Sequence, residues 1–81
     1  MRSKTELKNA VDQLEENNVV VAGVAVEQKA IRAIIDEGDE EAKDAIDQTA
    51  LDHIADVVHE DTEGGHEVYQ LINADDEDLG F

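Results

Sequence analysis

The chain has no cysteine, no proline and no tryptophan, and its 81 residues include one tyrosine and one phenylalanine. Without cysteine there is no disulfide framework and no thiolate zinc or iron–sulfur site, so the usual staples of a small domain are missing. A domain of this length buries only about 60–65% of the surface its unfolded chain exposes, which leaves its core little margin. Ser3 is the single serine and lies at an expected helix cap, so nucleophilic catalysis has no centre. Gly23 and Gly64-Gly65 form no phosphate-binding glycine pattern, which removes nucleotide cofactors. Long apolar runs are missing as well. No stretch approaches the roughly 18 residues of a membrane span, and the first residues lack the apolar centre of a signal peptide. These absences lead us to expect a non-enzymatic, cytoplasmic protein without cofactor or membrane contact.

Positive charge is scarce. Six Lys and Arg face 22 Asp and Glu, for a formal charge of -16. Residues 1–43 hold all six bases and ten acids, whereas residues 44–81 hold 12 acids and no base. High net charge with low hydrophobicity marks disorder, but 41% of this chain is hydrophobic, mostly Val, Ile, Leu and Ala at regular spacing. The expectation is a folded domain over residues 1–73 with an acidic surface, followed by an acidic tail over 74–81. Its composition resembles that of haloarchaeal proteins, which work in concentrated salt and attract hydrated monovalent cations to their carboxylates. Salt shortens the Debye length from about 10 Å at 0.1 M to about 3 Å at 1 M, which relieves self-repulsion.

Hydrophobic spacing suggests an α+β fold with three helices, about 4–16, 25–37 and 40–60, and two short strands, about 19–22 and 67–72. Ser3 and Glu6 read as a capping box, with Leu7, Ala10, Val11 and Leu14 on one helical face. Three consecutive valines favour a strand at 19–22, and a small all-α bundle is the alternative if 19–26 is helical. Val26, Ala30, Ala33 and Ile34 suit a second helix ended by Gly38, and Asp39 can cap a third. Gly64-Gly65 marks a turn before the last strand, which is expected to pair with 19–22. No internal repeat is visible.

Several constellations are candidates for function. On a helix running to residue 60, the spacing of His53, Asp56 and His59 would bring imidazole and carboxylate together as a weak divalent-metal candidate. Asp75-Asp76-Glu77-Asp78 lacks the ligand spacing of a calcium loop. Tyr69, Leu79 and Phe81 are candidate partner-binding residues, because large apolar side chains anchor interfaces. The leading reading is therefore a small adaptor, subunit or virion component of a halophile or its virus. It would dock on a protein partner or self-associate, with a homodimer as one form. The alternative is a winged-helix-like DNA-binding regulator using Arg2, Lys4, Lys8, Lys29 and Arg32, although phosphate contacts favour more bases than this chain has. An acidic DNA-mimic inhibitor is the weaker third reading.

Overall fold

The computed structural model describes Met1 and residues 3–73. The first helix, α1 (Lys4–Glu16), forms where the spacing places it. Its start is held by Ser3, whose Oγ accepts the Glu6 amide at 3.1 Å, and Leu7, Ala10 and Leu14 are its buried face. The chain turns at Asn17-Asn18, with Asn18 at φ 62, and enters β1 (Val20–Ala25). Asparagine tolerates this left-handed backbone better than most residues.

Here the architecture departs from the expected one. Residues 30–36 form a strand, β2 (Ala30–Asp36), in place of the helix expected over 25–37. Ile31, Ala33 and Ile35 are buried, while Arg32 and Asp36 are exposed. That is a period of two, and the branched Ile side chains suit a pleated surface better than a helix. The helical reading relied on Ala30, Ala33 and Ile34 sharing a face, yet Ile34 points to the opposite side of the sheet from Ala33.

The second helix, α2 (Glu40–Asp52), starts at its expected cap, with Asp39 Oδ1 accepting the Ala42 amide at 3.1 Å. It stops at Asp52 and does not run to residue 60. His53 is its C-cap, Ile54 takes φ 54, and β3 (Ala55–Glu63) follows. Gly64 and Gly65, at φ 61 and 82, make a two-residue hairpin turn into β4 (His66–Asn73). Positive φ at both central positions gives the twist that antiparallel strands need, which is why a glycine pair occupies them. The described residues thus form two helices and four antiparallel strands in one sheet of order β1-β2-β4-β3. The strand at 19–22 and that at 67–72 both exist in longer form, but they do not pair with each other. β2 lies between them.

Both helices cover the same face of the sheet. The core between the layers holds Leu7, Ala10 and Leu14 of α1, Ile46 and Ala50 of α2, and Ile31, Ala33, Ile35, Tyr69 and Leu71 of the central strands. Met1 is also fully buried, and its ammonium donates to the carbonyls of His53 and, at 2.9 Å, Ile54. These are carbonyls at the end of α2, where a cation complements the helix dipole. Thr49 is buried too, with its hydroxyl donating to the Ala45 carbonyl at 2.8 Å.

The structure contains an internal repeat that the sequence does not display. Each half is helix, strand, strand, and corresponding features lie 36 positions apart. The pairs are helix caps Ser3 and Asp39, helices 4–16 and 40–52, C-caps Asn17 and His53, and left-handed residues Asn18 and Ile54. Ala33 and Tyr69, also 36 apart, face each other at the centre of the β2–β4 pairing, so a pseudo-two-fold axis passes there. The residues at these paired positions differ, because helix caps, an αL corner and alternating burial can each be met by several residue types.

Candidate interaction surface

The strand alternation that buries Ile31, Ala33, Ile35, Tyr69 and Leu71 sends their neighbours to the other face, which neither helix covers. On β2 these are Arg32 and Ile34, and on β4 Val68, Gln70 and Ile72, while the edge strands add Val20 and Val58. Val20 is 63% exposed and Val58 41%, while Ile34, Val68 and Ile72 are half-buried. Register sets Val20 beside Ile34 and Ile34 beside Val68, so one apolar row crosses β1, β2 and β4. Ile72 and Val58 lie further along the same face.

One ion pair crosses this surface. The Arg32 guanidinium donates through Nε to Glu60 Oε2 and through Nη2 to Glu60 Oε1, both at 2.9 Å. Glu60 can reach it because β3 is bulged between His59 and Asp61, so the extra residue turns its carboxylate over the sheet. Arg32, Ile34, Glu60, Asp61 and Val68 together border a shallow depression of about 400 Å³. Asp36, Asp56, Asp61 and Glu63 make the surrounding rim acidic.

The expected site residues are dispersed. His53, Asp56 and His59 do not converge, because a strand replaces the helix that their spacing assumed. His53 caps α2 with Nε2 2.9 Å from Gln13 Oε1, and Asp56 and His59 occupy opposite faces of β3. Among the described residues no group of three or more His, Asp or Glu could hold a metal ion. His59 instead stacks on the Tyr69 ring, with centroids 4.8 Å apart, and its Nε2 lies 2.9 Å from Thr62 Oγ1.

Tyr69 is only 7% exposed and belongs to the helix-covered face, where Lys43 Nζ stands 5.2 Å from its ring centroid. Its ring is therefore a core group. Burial pushes its phenol above the usual tyrosine range, and the nearby Glu67 carboxylate adds to that. Leu79 and Phe81 lie outside the described residues, as does Arg2. The remaining bases do not share a face. Lys4 and Lys8 are on α1, Lys29 is in the β1–β2 turn, and Arg32 is on the open face paired with Glu60. The helix–helix–wing arrangement that would present them to DNA is not formed.

Sequence reasoning missed Arg32–Glu60 and the open apolar row. Their signal was present in Ala30–Asp36 as a two-residue alternation with an extra isoleucine at Ile34.

Among the described residues the fold is a two-layer α+β sandwich in which both helices lie on one face of the sheet. A scan against protein-family models and searches of curated proteins and of solved structures each give no match to this chain. No helix among the described residues is long and apolar enough to cross a membrane.

Proposed function

We infer that this protein is a small non-enzymatic interaction module, an adaptor or assembly subunit, that docks a protein partner on the open face of its sheet. The observation that carries the reading is the apolar row Val20, Ile34 and Val68, together with Ile72 and Val58, on the sheet face that neither helix covers, where Val20 and Val58 are exposed and the other three half-buried. A contiguous exposed apolar surface costs solubility and is characteristic of a protein–protein contact. The acidic rim sets the partner's chemistry as apolar at its centre and basic around it, since like charges opposed across an interface disfavour binding. Its acidic composition supports work in the salt-rich cytoplasm of a halophile, or in the particle of a halophilic virus, with hydrated cations at the remaining carboxylates.

A photo-crosslinking side chain placed at Val68, and separately at Leu51 on α2, tests the reading in living haloarchaeal cells. Leu51 is 77% exposed and makes a control of similar character outside the open face. The expected result is a discrete protein adduct from position 68 alone, lost when Ile34→Lys is added to a chain whose circular dichroism is unchanged. Equal adducts from both positions, or an adduct that survives Ile34→Lys, would overturn it.

A further inference from the structure

The two edges of the sheet are built differently. β3 carries Asp56, His59, Glu60, Asp61 and Glu63 and a bulge, which are devices that discourage a further strand from pairing. β1 has a bulge between Val21 and Gly23 but no charge at all, and it lies within ten uncharged residues, Asn17–Val26, of a chain that is 35% charged. Val24 within the strand and Val26 just after it are 41% and 45% exposed. Between this edge and α1 runs an apolar groove of about 350 Å³, bordered by Leu7, Val11, Val24 and Val26 with Lys4 and Lys8 at its lip.

Charge follows the same division. Residues 1–35, which form α1, β1 and nearly all of β2, contain five bases (Arg2, Lys4, Lys8, Lys29, Arg32) and five acids (Glu6, Asp12, Glu15, Glu16, Glu27), a net of zero. The other 17 acids and Lys43 give residues 36–81 the entire -16. The strand order places β1 at the end of the sheet remote from β3, so the balanced half of the protein ends in the unguarded edge.

From this placement we propose that β1 is a self-association edge, pairing antiparallel with β1 of a second copy about a two-fold axis. The occupant is a second copy because the edge is self-complementary in what it offers, backbone donors and acceptors on an uncharged strand. It is also the approach on which two chains of charge -16 repel least. An isologous contact of this kind closes after two subunits. The two sheets become one of eight strands, and the two α1 helices come alongside each other over the paired edges, where the apolar groove of each copy is covered by the other. The inference is independent of the docking reading above, and it would join two open faces into one platform.

Light scattering of the full chain in about 2 M KCl reads the mass directly, against 8.9 kDa for one copy. A species of twice that mass is expected, and Val24→Lys/Val26→Lys, which sets added cations against each other across the axis, should raise the dimer dissociation constant at least tenfold. Val58→Lys at the opposite edge and Val68→Lys on the open face should leave the mass unchanged, so loss of partner docking and loss of the dimer remain separate results. If the double variant does not fold, hydrogen exchange of β1 amides in the parent chain substitutes, with protection that rises with protein concentration in β1 and not in β3. A folded monomer at all concentrations, a dimer insensitive to the β1 variant, or β1 protection independent of concentration would each overturn the proposal. The last pattern is what an extended segment of another protein at this edge would give.

Discussion

Arg32 and Glu60 are 28 residues apart and join the two halves of the sheet through a two-pronged ion pair, which spans from β2 to β3 above the side chains of β4. It is the one described Arg or Lys ion pair that ties residues more than a helical turn apart. Lys8–Asp12 and Lys43–Asp47 are both i,i+4 pairs within a helix. Arg32 retains 52% of its side-chain exposure and Glu60 33%, so water screens the attraction. A double-mutant cycle with Arg32→Ala and Glu60→Ala should give a coupling of about 0.5–1 kcal/mol in dilute salt that shrinks as KCl rises. Urea unfolding at two salt concentrations checks this, and a coupling that grows with salt would contradict the screened-pair account.

Ile54 holds a left-handed conformation at φ 54, which is strained for a β-branched residue, and its side chain is 43% exposed. The corresponding corner of the other half uses Asn18. Ile54→Gly should therefore raise stability by about 1 kcal/mol, since roughly 1–2 kcal/mol of αL strain outweighs the modest burial lost. A lower urea midpoint for the variant would show that Ile54 packing matters more than its backbone.

Leu71 is fully buried at the centre of the sheet, and Ile46 fully buried on α2 above it. Leu71→Ala or Ile46→Ala should each cost about 2–5 kcal/mol, which for a domain this small approaches its whole stability. Circular dichroism at 25 °C should then show either variant largely unfolded unless salt is raised.

Asp52 receives Gln13 Nε2 at 3.0 Å and Gln48 Nε2 at 2.9 Å, so a side chain of α1 and one of its own helix both hydrogen-bond its carboxylate. The Gln13 bond and then the Gln48 bond hold its carboxyl below the usual aspartate range. A depressed folded-state value means that the stabilisation is present above the unfolded value near 3.9 and is lost as pH falls through the folded one. Gln13→Ala should move the Asp52 titration upward and soften the acid limb of the stability profile. Carboxyl chemical shifts during an acid titration report it, and an unmoved Asp52 would exclude the Gln13 bond as the cause.

Salt dependence is expected to arise mainly in the more acidic second half of the chain. Glu40 and Asp44 are like charges at i,i+4 on α2, each such pair costing about 0.2–0.5 kcal/mol at low ionic strength. Asp52, Asp56 and Glu60, which would add two more such pairs on a longer helix, are separated by the change to strand after residue 54. Helical circular dichroism should fall when KCl is lowered from about 2–3 M to about 0.1 M. Asp44→Lys should reduce the salt needed, and a spectrum unchanged at low salt would remove the halophilic reading.

Local signals sufficed for some elements and failed for others, and the division has a physical pattern. Ser3 and Asp39 announce their helices because a cap is satisfied by amides two or three residues away. Gly64-Gly65 announces its hairpin because a tight turn needs positive φ whatever surrounds it. Ala30–Asp36 carries both a helical and a two-residue period, and so does the stretch from Ala50 to Val58. There the outcome depends on what each segment packs against. β2 is a strand because β1 and β4 supply ladders on both its edges, and α2 ends early because β3 completes the sheet beside β4.

The sequence by itself determined the absence of disulfides and thiolate metal sites, the acidic surface, the first helix with its cap, the start of the second and the final turn. All of these rest on composition or on contacts within a few residues. Only the tertiary structure decided that β2 separates β1 from β4, that His53, Asp56 and His59 lie apart, and that Tyr69 is a core group. Tertiary structure alone likewise aligned Val20, Ile34 and Val68 in one row on the sheet face opposite the helices and put the uncharged β1 at the end of the strand order. These outcomes follow from strand order and register, and shifting a strand by one residue would exchange its buried and exposed sides.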